Sequence, residues 1–244
     1  MKKSTWIVSA IVVIGVGLLV FGGAQSSVQT TELSEEEIAT ILAIREDDWI
    51  LSAPVGEVST TTPEVTLVEY SDYQCPACKQ YAPLVNELIK EFDGRVQLVY
   101  RHFPLTQIHF NARAAAMAAE AAGMQGTYFE MSDLLFEEQL QWQGLSRASM
   151  QEKLLEFASE LELDIEVFTE DMASDTVSDS ISQDQQDATR LGVNATPTFF
   201  LGGKQLRNPN SYDEFRLKII EELGDITIET QAVDDEEFSV ELGS

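Results

Sequence analysis

Two extended segments flank a helical one near the middle of the chain, and this order constrains the fold more than any other feature. Residues 65–70 are mostly β-branched or apolar and are bounded by turn-forming residues, which predicts a strand. Apolar side chains recur at helical spacing over residues 75–92, and Gly94 ends that helix. Residues 96–101 repeat the strand pattern. A strand, a helix and a strand within about forty residues predict a βαβ unit with parallel strands, and hence an α/β fold.

Helical patterns fill most of the chain after this unit. Pro197 precedes an apolar strand over residues 198–201, and Gly202 and Gly203 form a hairpin turn before its partner strand. An amphipathic helix over residues 212–223 completes the pattern. The intervening helices are predicted over residues 111–123, 126–139, 146–161, 164–173 and 176–192.

The N-terminus sets the expected compartment. Lys2 and Lys3 precede an apolar run over residues 6–23, which as a helix would span about 27 Å, close to the ~30 Å hydrocarbon core. Two interpretations stay open: a membrane anchor with a cytoplasmic N-terminus, or a signal peptide cleaved near Ala24. We therefore expect a single-pass protein of the cell membrane with its domain on the extracytoplasmic side, or else a secreted or periplasmic protein.

The chain divides into four predicted parts. A polar spacer ends in a short helix, which Ser34 and Glu37 open as a capping box and which runs to about Glu46. No dimerisation segment is evident, so we expect a monomer. The parts are an anchor or signal sequence (1–24), a spacer with the short helix (25–48), the main domain (49–224) and an acidic tail (225–244).

Acidic residues dominate the charge. The sequence has 15 Lys and Arg against 42 Asp and Glu, a formal net charge of −27. Nucleic acid is excluded as a partner because binding phosphates needs clustered cations. The same charge disfavours peripheral binding to anionic lipid, so a membrane association would have to come from the N-terminal apolar segment.

The two cysteines, Cys75 and Cys78, lie at the predicted strand-to-helix junction. As a structural disulfide they would close a four-residue loop worth only about 2 kcal/mol. A zinc site would need two further ligands, and His102 and His109 lie in unlike local contexts. A Cys–His hydrolase would need an oriented base, which no motif near either histidine provides. We predict a redox pair, with no metal and no cofactor beyond the Cys75–Cys78 disulfide itself.

The position of the pair predicts unequal roles for its two thiols. Cys75 precedes the first helical turn, where unpaired N–H groups and the helix dipole favour a thiolate nucleophile. Pro76 suits that turn because its missing N–H would have no partner. Cys78, one turn later, should be the buried resolving thiol. Ala77 donates no hydrogen bond from its side chain, so we predict a milder oxidant than a relative with histidine there.

Three segments together resemble the DsbA-like branch of the thioredoxin superfamily, over roughly residues 49–223. Residues 69–79 read Glu-Tyr-Ser-Asp-Tyr-Gln-Cys-Pro-Ala-Cys-Lys, residues 100–105 read Tyr-Arg-His-Phe-Pro-Leu, and residues 195–200 read Ala-Thr-Pro-Thr-Phe-Phe. The resemblance implies a thioredoxin-like fold with a helical insertion, over about residues 105–192, between βαβ and ββα halves.

The resemblance also implies roles for residues outside the cysteine pair. Pro197 matches a cis-proline that faces the active-site disulfide, and the backbone of Thr196 should pair with substrate peptide. Glu69 matches a buried acid that handles the proton of the second cysteine, although an exposed strand residue stays an alternative. For His102 we expect packing or hydrogen bonding at the edge of the site rather than catalysis.

The expected function follows from this resemblance. The protein would oxidise cysteine pairs in exported proteins, and the family implies reoxidation by a membrane quinone reductase of the DsbB or VKOR type. Two alternatives stay open: a disulfide reductase or isomerase, and a redox-inactive chaperone or binding module with a thioredoxin fold.

Overall fold

The computed structural model describes residues 33–224. Within that range no helix is long and apolar enough to cross a membrane. The predicted anchor or signal sequence and the acidic tail lie outside the described residues. The elements are α1 (Glu35–Leu42), β1 (Trp49–Leu51), β2 (Val65–Ser71), α2 (Pro76–Phe92), β3 (Val96–His102), α3 (Ala112–Met124), α4 (Tyr128–Glu137), α5 (Gln139–Trp142), α6 (Arg147–Glu160), α7 (Ile165–Met172), α8 (Asp175–Arg190), β4 (Thr198–Leu201), β5 (Lys204–Gln205) and α9 (Tyr212–Leu223).

The described strands form one sheet with the order β1-β3-β2-β4-β5. Strands β2 and β3 run parallel on either side of α2 in sequence, which confirms the predicted βαβ unit. Strand β4 pairs antiparallel with β2, and β5 returns along β4 as the expected hairpin. The sheet edge beyond β3 is β1, a three-residue antiparallel strand that the sequence pattern did not predict.

Successive side chains of β2 point to opposite faces of the sheet and therefore contact different helices. Leu67 packs in a cluster with side chains of α2 and α9. Val68 and Tyr70 pack on the opposite face, against α1 and α8. Since successive side chains of a strand point to opposite faces, Glu69 lies on the same face as Leu67, the face that α2 covers.

The segment between β3 and β4 is helical, as the resemblance implied. The alanine-rich α3 lies at its centre, and small side chains let neighbouring elements approach closely. A β-carbon on Gly123 would lie 2.4 Å from the ring of Trp49, so only glycine fits there. The five predicted helices are confirmed, and the short α5 follows α4 as a separate element.

The start of the described chain packs as part of the domain. The capping box is confirmed, since the Ser34 amide donates to Glu37 at 2.9 Å and the Glu37 amide to Ser34 at 3.2 Å. The helix ends at Leu42 rather than near Glu46, and Leu42 joins the core on the α8 face of the sheet. Residues 25–48 are predicted to form a spacer with a short helix, and the described part of this segment, residues 33–48, packs against the domain.

Candidate active site

The cysteine pair lies where β2 leads into α2. Cys75 is the N-cap residue of α2 and Pro76 is its first residue, as the sequence predicted. The Cys75 amide donates to the carbonyl of Asp72 at 2.9 Å, which fixes the turn between the strand and the helix. Pro76 is exposed and Ala77 half-buried, whereas Cys78 is 0% exposed. Cys75 is itself only 7% exposed, so it is the more accessible of two buried thiols.

Several donors around Cys75 stabilise its thiolate. A hydrogen bond from the Cys78 thiol is the largest of them, and it lowers the pKa of Cys75 to about 5 against the opposing effect of burial. Smaller contributions come from the side chain of Thr196 and from the backbone N–H groups of Cys78 and Ala77. These main-chain donors are the unpaired N–H groups of the first helical turn.

Thr196 lies opposite Cys75, and its carbonyl and its hydroxyl have opposite effects on the protonation of the Cys75 sulfur. Its carbonyl accepts from the Cys75 thiol at 3.4 Å, which favours the protonated sulfur. Its buried hydroxyl has no hydrogen-bond partner within residues 33–224, so it is available to donate to a thiolate. The Thr196–Pro197 peptide bond is cis, as the resemblance implied, and Pro197 is buried beside the start of β4.

Cys78 and Glu69 form the inner part of the site. Burial, the hydrogen bond with Cys75 and the charge of Glu69 together raise the pKa of Cys78 well above its ordinary value. Glu69 is 3% exposed, so the prediction of a buried acid is confirmed and the alternative of an exposed strand residue is wrong. Burial raises the pKa of Glu69 to about 7, which lets this carboxyl exchange protons near neutral pH.

Neither histidine is a partner of the cysteines. His102 is 1% exposed and lies within hydrogen-bonding distance of Glu120 (3.0 Å) and Tyr128 (3.1 Å), in agreement with the expected packing role. His109 lies 2.8 Å from a carboxylate oxygen of Asp72. Among the described residues no three His, Cys, Asp or Glu side chains are grouped to hold a metal.

Sequence reasoning missed Gln139, which supports the site from the helical insertion. Its side-chain amide donates to the carbonyl of Tyr73 at 2.7 Å and to that of Cys75 at 3.0 Å. Gln139 is 1% exposed, and a buried glutamine needs such partners. No local signal could have revealed it, because α5 is distant from the cysteines in sequence.

Replacement of Glu69 by Gln should change how the stability of the dithiol form depends on pH. The pKa of Glu69 rises from 4.5 to about 7 on folding, so the folded protein holds this proton more tightly than the unfolded chain. The resulting stability is fully present below pH 4.5 and is lost as the pH rises through 7. Relative to Glu69→Gln, the wild type should lose about 3 kcal/mol between these limits.

Denaturant unfolding of both proteins at pH 4 and at pH 8 measures this difference. Glu69→Asp, which keeps a carboxyl, serves as the control and should retain the pH dependence. Parallel stability profiles for the wild type and Glu69→Gln would contradict the assignment of a buried, proton-exchanging carboxyl.

The site and the fold together define a class of protein. A Cys-x-x-Cys pair at a helix start, next to a cis-proline and on a sheet of this strand order, is the arrangement of thioredoxin-like proteins. A thioredoxin family profile matches residues 60–222, and the chain belongs to this family.

Solved structures with this fold include oxidoreductases. A thioredoxin-like oxidoreductase from Silicibacter pomeroyi is 27% identical, with a TM-score of 0.59 over 75% of this chain and 95% of that one. BdbD from Bacillus subtilis is 23% identical, with a TM-score of 0.62 over 73% and 94% of the two chains. Alpha-DsbA1 from Wolbachia pipientis is 21% identical, with a TM-score of 0.62 over 79% and 97%. The last two similarities show the fold alone.

The curated relatives are named as Na(+)/H(+) antiporters, and they are longer than this chain. A Na(+)/H(+) antiporter NhaA 1 of Salinispora arenicola is 43% identical over 149 residues, which are 61% of this chain and 21% of the relative. An NhaA 3 of Salinispora tropica is 34% identical over 180 residues, which are 74% of this chain and 26% of the relative. The chain thus spans about a quarter or less of these proteins.

Proposed function

We propose that this protein is a thiol–disulfide oxidoreductase that introduces disulfides into exported proteins through Cys75 and Cys78. The observation that carries the proposal is the asymmetry of the two thiols. Cys75 lies at the start of α2 with a lowered pKa, whereas Cys78 is fully buried with a raised pKa. This pairing supplies a leaving group at the start of the helix and a fully buried thiol that resolves the mixed disulfide.

The reaction begins with the Cys75–Cys78 disulfide. A substrate thiolate attacks the sulfur of Cys75, the disulfide breaks, and Cys78 leaves with the electron pair and takes a proton from Glu69. The second substrate thiolate then attacks the substrate sulfur of the mixed disulfide and releases Cys75 as a thiolate. The substrate dithiol loses two electrons and two protons, and the protein disulfide becomes a Cys75 thiolate and a Cys78 thiol. One of the two protons replaces the one that Glu69 gave to Cys78, and the other goes to solvent.

Thr196 supports peptide binding in this scheme. Its carbonyl lies 3.4 Å from the Cys75 sulfur, so an extended peptide bonded to Cys75 would pass along the backbone of this residue. Main-chain hydrogen bonds do not depend on the peptide sequence. A site built in this way favours a broad range of unfolded substrates with cysteine pairs.

The oxidising direction is favoured by the stability of the thiolate. An interaction that lowers the pKa of Cys75 stabilises the dithiol form but has no counterpart in the disulfide form. Each unit of lowered pKa below the ambient pH is worth about 1.4 kcal/mol toward the dithiol form. Reductase or isomerase activity is the second candidate, and the lack of a hydrogen-bond donor on the Ala77 side chain favours it.

Location, partners and domain organisation belong to the same proposal. The N-terminal segment of residues 1–24 would anchor or export the domain, and residues 225–244 would form an acidic tail. A membrane quinone reductase of the DsbB or VKOR type would reoxidise a monomeric enzyme that needs no cofactor beyond its disulfide. The antiporter names of the relatives support a membrane location.

The reduction potential of the Cys75–Cys78 pair tests the direction. We expect a value between about −120 mV, typical of strong oxidants, and about −270 mV, typical of thioredoxin. The dithiol form should unfold at a higher denaturant concentration than the disulfide form, and ultraviolet thiolate absorbance should titrate with a pKa near 5. Potential and stability are measured on the full chain equilibrated with glutathione buffers.

The opposite order of stability would exclude the oxidase assignment and favour a reductase. An ordinary Cys75 pKa together with no exchange with disulfide peptides would leave only a binding function. Ala77→Ser is the matched variant for this test, because it adds a donor next to Cys75 without changing the helix start.

A further inference from the structure

A small cavity lies behind the cysteine pair, between the sheet, α2 and α4. It encloses about 20 Å³, which is enough for one water molecule. Five of its ten lining residues are polar (Glu69, Asn86, Tyr100, Ser132 and Asp133) and five are apolar. The Tyr100 hydroxyl is buried and has no hydrogen-bond partner within residues 33–224. A water in this cavity would have several polar partners, as buried waters require.

Two of these residues also face an open surface groove. Asn86 and Asp133 line a groove of about 770 Å³ whose other walls come from α2, α9 and the segment after β1. The Asn86 amide donates to an Asp133 carboxylate oxygen at 3.1 Å, and both residues line the cavity as well as the groove. Both side chains are half-buried, so they can reach the inner cavity and the solvent alike.

We propose that Asp133 and Asn86 form the outer end of a proton path between Glu69 and the groove, with one water in the cavity as the link. The path rests on the proposed function, because thiol–disulfide exchange at Cys78 takes up or releases one proton per turnover. When the Cys78 thiol attacks a mixed disulfide on Cys75, its proton passes to the Glu69 carboxylate. The proton then moves through the cavity water to the Asp133 carboxylate and leaves into the groove.

The charges around Asp133 suit a proton acceptor at this position. Burial raises the pKa of Asp133 against the opposing hydrogen bond from Asn86, and the neighbouring carboxylates of Glu137 and Glu130 on its own helix raise it further. On the facing side, the groove carries Glu87, Lys90 and Glu91 of α2 and Tyr212 of α9. At the inner end, Cys75, Cys78 and Tyr100 are the titratable groups around Glu69.

A competing route would run through the aromatic cluster. The hydroxyl oxygens of Tyr73 and Tyr128 are 3.4 Å apart. Hydrogen bonds continue from Tyr128 to His102 and from His102 to Glu120. Burial raises the pKa values of both tyrosines, which makes them poor carriers of a proton near neutral pH. Glu69 lines the cavity, whereas Tyr73 and Tyr128 do not. The cavity route is therefore the one we propose.

The release of glutathione from a preformed Cys75–glutathione mixed disulfide tests the path. This release needs deprotonation of Cys78, and acid quenching with mass spectrometry follows it on the full chain. Asp133→Asn should slow release about tenfold between pH 6 and pH 8, since a positioned acid or base contributes to the proton transfer. Added imidazole buffer should restore part of the rate, because a small base can take the place of the carboxylate.

A second variant and a control distinguish proton transfer from structural damage. Ala82→Val fills the cavity with two methyl groups and should also slow release. Glu87→Gln changes a groove residue that does not line the cavity, and its rate should match that of the wild type. The reduction potential and the Cys75 pKa should stay unchanged in Asp133→Asn, whereas structural damage at the site would shift them.

The outcomes separate this inference from the proposed function. Wild-type release rates and pH profiles in both Asp133→Asn and Ala82→Val would overturn the path while leaving the oxidoreductase intact. Slower release in Tyr128→Phe but not in Asp133→Asn would overturn it in favour of the aromatic route. A wild-type protein that exchanges no disulfides at all would overturn the proposed function, and the path with it.

Discussion

Replacement of Cys75 by Ser should abolish thiol–disulfide exchange while leaving the fold intact. Serine keeps the size of the side chain and the N-cap position, but its hydroxyl is a poor nucleophile and forms no disulfide. We expect the rate of oxidation of a dithiol peptide to fall more than about a thousandfold, to the level of the uncatalysed reaction. Stopped-flow fluorescence of the peptide, with circular dichroism as a check of folding, measures both effects.

Cys78→Ser is the matched variant, and it should fail at a different step. Its Cys75 can still attack a disulfide peptide, but the mixed disulfide cannot be resolved and should accumulate. Mass spectrometry of the protein–peptide adduct measures this accumulation. If Cys75→Ser kept catalytic turnover, or if Cys78→Ser were the variant that failed to form an adduct, the assigned roles of the two thiols would be wrong.

Replacement of Arg101 by Met should produce the largest loss of stability. The side chains of Arg101 and Asp48 are both 0% exposed and pair at 2.8 Å. Arg101 also donates to the carbonyls of Ile41 (2.6 Å) and Ala43 (2.8 Å), so it holds the start of the described chain against β3. Its removal leaves a buried carboxylate with fewer partners, which costs about 3–5 kcal/mol.

We expect a loss of stability of about 3 kcal/mol, at the lower end of this range, because Arg45 still donates to Asp48 at 2.9 Å. The melting temperature should fall by about 10 °C, as measured by differential scanning calorimetry. Adding Asp48→Asn to Arg101→Met should recover part of the loss, since it removes the buried charge that has lost one of its two arginine partners. Lys218→Met, which breaks an exposed pair with Glu221, should change stability little. Equal losses in the two single variants would contradict a special role for the buried pair.

Local patterns in the sequence were enough to predict most of the fold. Alternation and helical spacing gave the βαβ unit, the hairpin after Pro197 and the helices of the insertion, because those signals lie within each element. Elements that depend on tertiary pairing were missed. Strand β1 has only three residues, and its pairing with β3 cannot be read from its own composition.

The candidate site was predicted unevenly for a similar reason. The position of Cys75 and the burial of Cys78 follow from a helix start next to a strand, which is local information. The cis bond before Pro197 came from the family resemblance, since most X–Pro bonds are trans. Asp133 and Asn86 were not predicted, because the two helices that carry them meet only in the folded protein.

The hydrogen bonds from Gln139 bear on how this architecture can be recombined. An amide of the insertion holds the main chain on both sides of Gln74, immediately before the first active-site turn. A chimaera that receives the helices of another homologue would place a foreign side chain at this junction and remove a donor from two carbonyls, of which that of Cys75 keeps the Lys79 amide as a partner. Successful grafting would therefore require a primary amide at the equivalent location, which makes the two halves co-dependent rather than interchangeable modules.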